Sequence, residues 1–132
     1  MVANADQVQK EVLYIEDDDS NLALMRHLFI KKLPYFRLLE AKTSKEGIEI
    51  AYSRKLSLIL VDIHLPDQNG FITLKEIKSY SHHKPTPIWA LSAHVFESDI
   101  QDGLAAGFQQ YITKPYDVKK LVQLINDSLI HI

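Results

Sequence analysis

Short runs of uninterrupted apolar residues alternate along this chain with stretches whose apolar positions recur every three or four residues. The first run, Val12-Leu13-Tyr14-Ile15, is β-branched and aromatic and predicts a buried strand. Leu22, Met25, Leu28 and Phe29 follow at helical spacing. Asp19 and Ser20 precede them as capping residues, and Pro34 ends the helix. Phe36 to Ala41 mixes Arg37 and Glu40 with Leu38 and Leu39, which predicts a strand at a sheet edge. Thr43-Ser44-Lys45-Glu46 fits a capping box, from which a helix runs to about Tyr52. Leu58-Ile59-Leu60-Val61 is a second wholly apolar strand, Pro66 and Asn69-Gly70 punctuate a loop, and Phe71, Leu74 and Ile77 mark the next helix. Pro85 and Pro87 open another apolar run, Ile88-Trp89-Ala90-Leu91. Ile100 and Leu104 support a short helix stopped near Gly107. Tyr111-Ile112 is a last strand, and Asp117 caps a final helix with the apolar face Val118, Leu121, Ile125 and Leu129.

Five strands thus alternate strictly with five helices. Such alternation implies right-handed crossovers and a parallel sheet covered on both faces, a doubly wound α/β domain. The three most apolar strands belong at its centre. Residues 1–10 are polar and aperiodic and read as an extension; residues 11–132 form the domain. Binding sites in such folds lie outside the carboxyl ends of the strands, so the residues just after each strand carry the most information.

Composition narrows the chemistry. The chain has 132 residues, 46% apolar and 24% charged, the mix of one ordinary globular domain. It contains no cysteine, which excludes disulfides, thiolate catalysis and cysteine-bound metals and suits a reducing cytoplasm. A net charge of −2 gives no electrostatic footprint for nucleic acid or anionic membranes. No apolar stretch approaches the roughly 20 residues a membrane helix needs, and the first residues do not read as a signal peptide.

At the strand ends stand Glu16-Asp17-Asp18, Asp62, Ser92 and Lys114-Pro115. If the first, third, fourth and fifth strands are neighbours, these groups share one pocket of carboxylates, a hydroxyl and an ammonium. Two carboxylates about 4 Å apart repel by roughly 4 kcal/mol at an effective dielectric of 20, so such a cluster needs a cation or a proton. All-oxygen ligands suit Mg²⁺ or Mn²⁺. A divalent cation plus a lysine amid carboxylates is equipped to handle a phosphoryl group, either on a substrate or on a carboxylate acting as nucleophile. Asp18 and Asp19 read more simply as helix caps. Asp62 does not, because Leu65-Pro66 intervenes before the next helix. Glycine-rich phosphate loops are excluded by Asp17-Asp18-Asp19-Ser20-Asn21 after the first strand, where three acids would repel a nucleotide or flavin phosphate.

Four segments resemble the receiver domain of two-component response regulators. They are Val12 to Asp17, Leu60 to Gly70, Ile88 to Ala93, and Gly107 to Pro115. The resemblance implies a five-stranded sheet in the order 2-1-3-4-5. It implies that Asp62 accepts a phosphoryl group from a histidine kinase or His-phosphotransfer protein. It further implies that Glu16, Asp17, Asp62 and the backbone carbonyl of His64 hold Mg²⁺ (or Mn²⁺), that Ser92 and Lys114 contact the phosphoryl group, that Tyr111 swings inward when Ser92 moves, and that Lys114-Pro115 is a cis peptide. A downstream effector would read the fourth helix, fifth strand and fifth helix, around Ser98 to Ala106, Gln109 to Thr113 and Val118 to Ser128; some receivers pair as homodimers through that face. Such a domain transfers phosphate to itself and loses it slowly, and is not an enzyme in the usual sense.

Glu16, Ser92, Leu65 and Gln110 depart from the commonest family residues without removing a required chemical group. His64 and His94 are expected at the pocket mouth, where they would tune phosphate lifetime. His82-His83 and His27 are expected in solvent. Two alternatives are an aspartyl-nucleophile Mg²⁺ phosphohydrolase, against which stands His64 where such enzymes place a second acid, and a receiver-like module that binds a partner without taking phosphate.

Overall fold

The computed structural model describes residues 9–93 and 97–130. The strands are β1 (Lys10–Ile15), β2 (Phe36–Ala41), β3 (Leu58–Asp62), β4 (Ile88–Ser92) and β5 (Gln110–Thr113). The helices are α1 (Asp19–Lys32), α2 (Ser44–Ser53), α3 (Gly70–Lys78), α4 (Glu97–Ala106) and α5 (Val118–Leu129), with one 3-10 turn over Ser81–His83. All strands are parallel, in the order β2-β1-β3-β4-β5. The strands that carry the uninterrupted apolar runs, β1, β3 and β4, are central, and β2 lies at an edge, as their composition requires.

Side chains alternate across a strand, so each central strand serves two cores. Val12, Tyr14, Leu58, Leu60, Trp89 and Leu91 pack on one face with Leu22, Met25, Leu28 and Phe29 of α1 and Leu121, Ile125 and Leu129 of α5. Leu13, Ile15, Ile59, Val61, Ile88 and Ala90 pack on the other with Ile48 and Ala51 of α2, Leu74 and Ile77 of α3, and Phe108. Each fully buried aliphatic side chain contributes roughly 1.5–3 kcal/mol.

Local signals operate with small shifts of position. Of the capping candidates Asp18, Asp19 and Ser20, it is Asp18 that caps α1, its carboxylate accepting from the Asn21 N–H. Asp19 instead pairs with Lys42 at 2.7 Å. Thr43 caps α2 through the Glu46 N–H, but Glu46 reaches back to the Lys42 N–H, one residue beyond the expected partner. Gly107, at φ 121°, ends α4 in a conformation that only glycine adopts without strain.

Two expectations are corrected, those for Val118 and His83. Val118, the first residue of α5, is 40% exposed; the buried face is Leu121, Ile125 and Leu129. The short helix expected around Ile100 and Leu104 is present as α4; Leu104 is 42% exposed and Gly103 alone of α4 is buried, so the helix lies lightly on β5. His83 is fully buried rather than solvated. Its Nε2 lies 2.6 Å from the Ala51 carbonyl and its Nδ1 2.9 Å from the Thr86 hydroxyl. A carbonyl only accepts, so Nε2 carries the proton and Thr86 donates to Nδ1. The ring thereby ties the 3-10 turn to the end of α2, which a linear reading of a polar loop does not reveal. His27 is exposed as expected.

Candidate functional site

Parallel register brings the acids together. Ile15 lies opposite Val61, so the next residues, Glu16 and Asp62, are lateral neighbours. They continue the phase of Tyr14 and Leu60 and project to the α1/α5 face. Asp62 lies opposite Leu91, and Ser92 opposite Thr113, which sets Lys114 one residue beyond. The Lys114 N–H donates to the Ser92 carbonyl at 2.7 Å, and the Lys114-Pro115 peptide is cis. The chain after Asp62 turns back tightly: Gly70 N–H donates to the Ile63 carbonyl at 2.8 Å, and a Cβ on Gly70 would lie 2.8 Å from Ile63 Cα. Only glycine admits that approach.

Carboxylate oxygens of Glu16, Asp17 and Asp62 lie within 4.8 Å of one another. Glu16 is 1% exposed and Asp17 faces solvent. Lys114 Nζ sits 2.7 Å from Glu16 Oε1 and 3.4 Å from Asp62 Oδ2. Asp62 Oδ1 accepts the His64 N–H at 3.0 Å. Burial opposes the charge on Glu16, but hydrogen bonds with Lys114 and Asp62, the Lys114 charge and the Asp18 N–H outweigh it, and its pKa lies below the ordinary value. Burial raises the pKa of Asp62; the His64 N–H opposes that rise and the neighbouring Glu16 adds to it. Lys114 resists its own burial, and its pKa is raised by Glu16 and Asp62. Three acids against one ammonium leave excess negative charge, and the donor set is all oxygen. The residues therefore fit a hard divalent cation such as Mg²⁺ or Mn²⁺.

Glu16, Asp17, Asp62, His64, Ser92, Lys114 and Pro115 follow or end their strands at this end of the sheet, whereas Tyr111 lies within β5, opposite Ala90. Ser92 is fully buried and, by alternation, belongs to the face of Ile88 and Ala90, opposite to Asp62. Tyr111 shares that face and packs beneath α4 against Gly103. His64 is exposed, and His94 lies outside the described residues.

Three contributions escaped the sequence reading. Tyr14, buried in β1, donates its hydroxyl to Glu16 Oε1 at 2.9 Å; burial and the Glu16 charge raise its pKa, so the phenol stays protonated. The i, i+2 spacing on a strand was the available signal. Asp67, in the loop after Asp62, accepts the Ser44 and Lys45 N–H groups at 2.9 and 3.0 Å, and so supplies an anion to the α2 N-terminus. Beside it, Gln68 donates to the Ser44 hydroxyl, itself 2.6 Å from the Thr73 hydroxyl. No local pattern announces those long-range partners.

A model of the response regulator receiver domain matches residues 12–126, and the chain belongs to that family. The sensor histidine kinase CheAY of Helicobacter pylori is 32% identical over 120 residues, 89% of this chain but 15% of the kinase. The histidine-protein kinase BarA of Escherichia coli is 27% identical over 94% of this chain and 13% of its own length. The chain thus spans about a seventh of those kinases. It covers 96% of the response regulator DivK of Brucella anthropi, at 27% identity. Among solved structures, the chemotaxis response regulator CheY4 of Vibrio cholerae superimposes at TM-score 0.83 and 23% identity, over 92% of this chain and all of that one. The receiver domain of the Pseudomonas aeruginosa kinase PA1611, solved with a magnesium ion in its active site cleft, gives 0.83 and 23% over 92% and 98%. No helix among the described residues is long and apolar enough to cross a membrane.

Proposed function

We propose that this domain is a phosphorylation switch whose acceptor is Asp62. One observation carries the reading: the carboxylate of Asp62 stands at the end of a central strand between two further acids and the Lys114 ammonium. An Asp62 oxygen forms a bond to phosphorus while the P–N bond of a phosphohistidine donor breaks, and the electron pair stays on the imidazole nitrogen. The donor is a histidine kinase or His-phosphotransfer protein, in keeping with the kinases and regulators among its relatives. Glu16, Asp17, Asp62 and the His64 carbonyl would hold Mg²⁺. Bound there, Mg²⁺ would offset the acids and polarise the phosphoryl oxygens.

Lys114 offers its ammonium to a phosphoryl oxygen, and the Ser92 hydroxyl turns across the sheet toward it. Tyr111 follows Ser92, since both belong to the face beneath α4. The surface of α4, β5 and α5 changes shape for an effector, and a coupling of about 1–3 kcal/mol suffices to shift partner affinity 5–150-fold. The domain performs one self-transfer and slow hydrolysis, without turnover of a free substrate, and works in the cytoplasm. His64 and His94 would tune phosphate lifetime; an unchanged half-life after joint exchange to alanine removes that role.

A small phosphodonor, supplied with and without Mg²⁺, tests the reading. Mass spectrometry is expected to show one phosphoryl group on the wild type with Mg²⁺, and none on Asp62→Asn. Catalytic turnover of a phosphomonoester would favour a phosphohydrolase instead. A chain that takes no phosphate under any condition would be a binding module.

A further inference from the structure

We propose that Tyr14 is a positioning residue that sets which oxygen of Glu16 is available to a bound divalent cation. The inference rests on the metal-site reading above. Tyr14 is fully buried, and its hydroxyl donates to Glu16 Oε1 at 2.9 Å. The same oxygen receives Lys114 Nζ at 2.7 Å. Two donors therefore hold Oε1, while Oε2 has a different partner, the Asp18 N–H at 3.2 Å.

The side-chain length explains why such a clamp is useful. Glutamate has one more rotatable bond than aspartate, so an untethered Glu16 could turn either oxygen, or neither, toward the acid cluster. Tyr14 and Glu16 are two residues apart along the β1 strand direction and share the α1/α5 face, so the phenol lies along the strand toward the carboxylate. The ring is wedged among apolar neighbours and does not follow the carboxylate if it turns. A buried hydroxyl needs a partner, and this one has Glu16. Outer partners that orient a metal-binding side chain commonly matter to affinity, roughly 10–100-fold when removed.

The dependence on the longer acid gives the proposal its test. An aspartate in place of Glu16 falls one methylene short of the Tyr14 hydroxyl. Tyr14→Phe is therefore expected to weaken Mn²⁺ binding when Glu16 is present and to have little further effect in the Glu16→Asp background. A general packing defect would act alike in both.

Four proteins decide it: the wild type, Tyr14→Phe, Glu16→Asp and the double variant. Free Mn²⁺ is followed by electron paramagnetic resonance, and folding is checked by urea unfolding in a chelator. Tyr14→Phe is expected to raise the Mn²⁺ Kd roughly tenfold beside Glu16 and less than about twofold in the Glu16→Asp background. Leu60→Val serves as a packing control, since Leu60 lies opposite Tyr14 in register, and its Kd is expected to stay within about twofold of the wild type. Wild-type binding with an unchanged Kd in Tyr14→Phe would overturn the role of Tyr14 alone, as would equal losses in both backgrounds. A wild type that binds no Mn²⁺ would overturn the metal-site reading and this inference with it.

Discussion

Lys114→Met isolates the electrostatics of the site, because it removes the ammonium and keeps most of the stem. Glu16 is 1% exposed and Lys114 Nζ is 2.7 Å from it, while the Lys114 side chain is 18% exposed. At an effective dielectric of about 20, that pair attracts by roughly 6 kcal/mol before desolvation is counted. Breaking a buried pair by deleting one partner costs about 3–5 kcal/mol, since the remaining charge is stranded. Here the lower end applies. The site opens to solvent at Asp17, and Glu16 can share a proton with Asp62. We expect a loss of about 3 kcal/mol at pH 7 in a chelator.

The pH dependence has a definite sign. The folded-state pKa of Glu16 is depressed, so its stabilisation is present above the unfolded value near 4.5 and is lost as pH falls through the folded value. Without Lys114 that depression largely disappears, so the gap between variant and wild type closes as pH drops below about 4.5. Divalent cations should stabilise the variant more than the wild type. Even at the dielectric of water, a unit charge about 6 Å from a double charge is worth roughly 1.4 kcal/mol, a factor of ten in affinity. Lys114→Met should therefore bind Mg²⁺ about tenfold tighter while losing phosphoryl acceptance. Urea unfolding at pH 7 and pH 4, with chelator or excess Mg²⁺, reads both effects. A variant as stable as the wild type at pH 7, or one stabilised no more than wild type by Mg²⁺, would show that the Lys114 charge does not govern the site.

Two further outcomes follow from packing. Burial depresses the pKa of His83, so the unfolded chain takes up a proton below about pH 6.5 that the folded chain refuses, and stability is lost toward acid. Between pH 7.5 and 5.5 the wild type is expected to lose about 1 kcal/mol more than His83→Gln in urea unfolding; parallel pH profiles would exclude that origin. A Cβ on Gly103 would lie 2.5 Å from Tyr111 Cδ2, so Gly103→Ala is expected to destabilise by about 1 kcal/mol despite the better helix propensity of alanine. In a Tyr111→Ala background the same change should stabilise by up to about 1 kcal/mol, and an unaltered sign in thermal unfolding would show that the ring is not the obstacle.

What the sequence disclosed was whatever depends on local pattern. Val12 to Ile15 and Leu58 to Val61 announce central strands because both faces are buried and no polar alternation is left. Glu16, Asp62 and Lys114 announce a site because strand ends in an alternating α/β chain point one way. What stayed hidden depends on contacts distant in sequence. His83 reads as a loop residue until α2 brings the Ala51 carbonyl to it, 32 residues away. Tyr14 reads as core until its hydroxyl is seen against Glu16. Ile100 and Leu104 announce α4 but not how lightly it is held: β5 is an edge strand of four half-buried residues, and Gly103 alone of α4 is buried.

That unevenness bears on how a charge at Asp62 could reach a partner. Glu16 and Asp62 stand at the ends of strands whose residues are almost all fully buried, with neighbours on both sides. Lys114 follows the half-buried edge strand β5, and α4 above it buries only Gly103. The acids are therefore fixed and their partners are the softer part. Lys114 rests closer to Glu16 than to Asp62, at 2.7 against 3.4 Å, and new negative charge on Asp62 would draw it the other way. Its backbone N–H is bonded to the Ser92 carbonyl, so a shift of Lys114 pulls on the end of β4 and on β5 together. Local rearrangement is cheapest where few apolar contacts must break. By that criterion a response to charge on Asp62 would travel outward through β5 and α4, where Tyr111 lies against Gly103, and not inward through the core on which β1 and β3 are anchored.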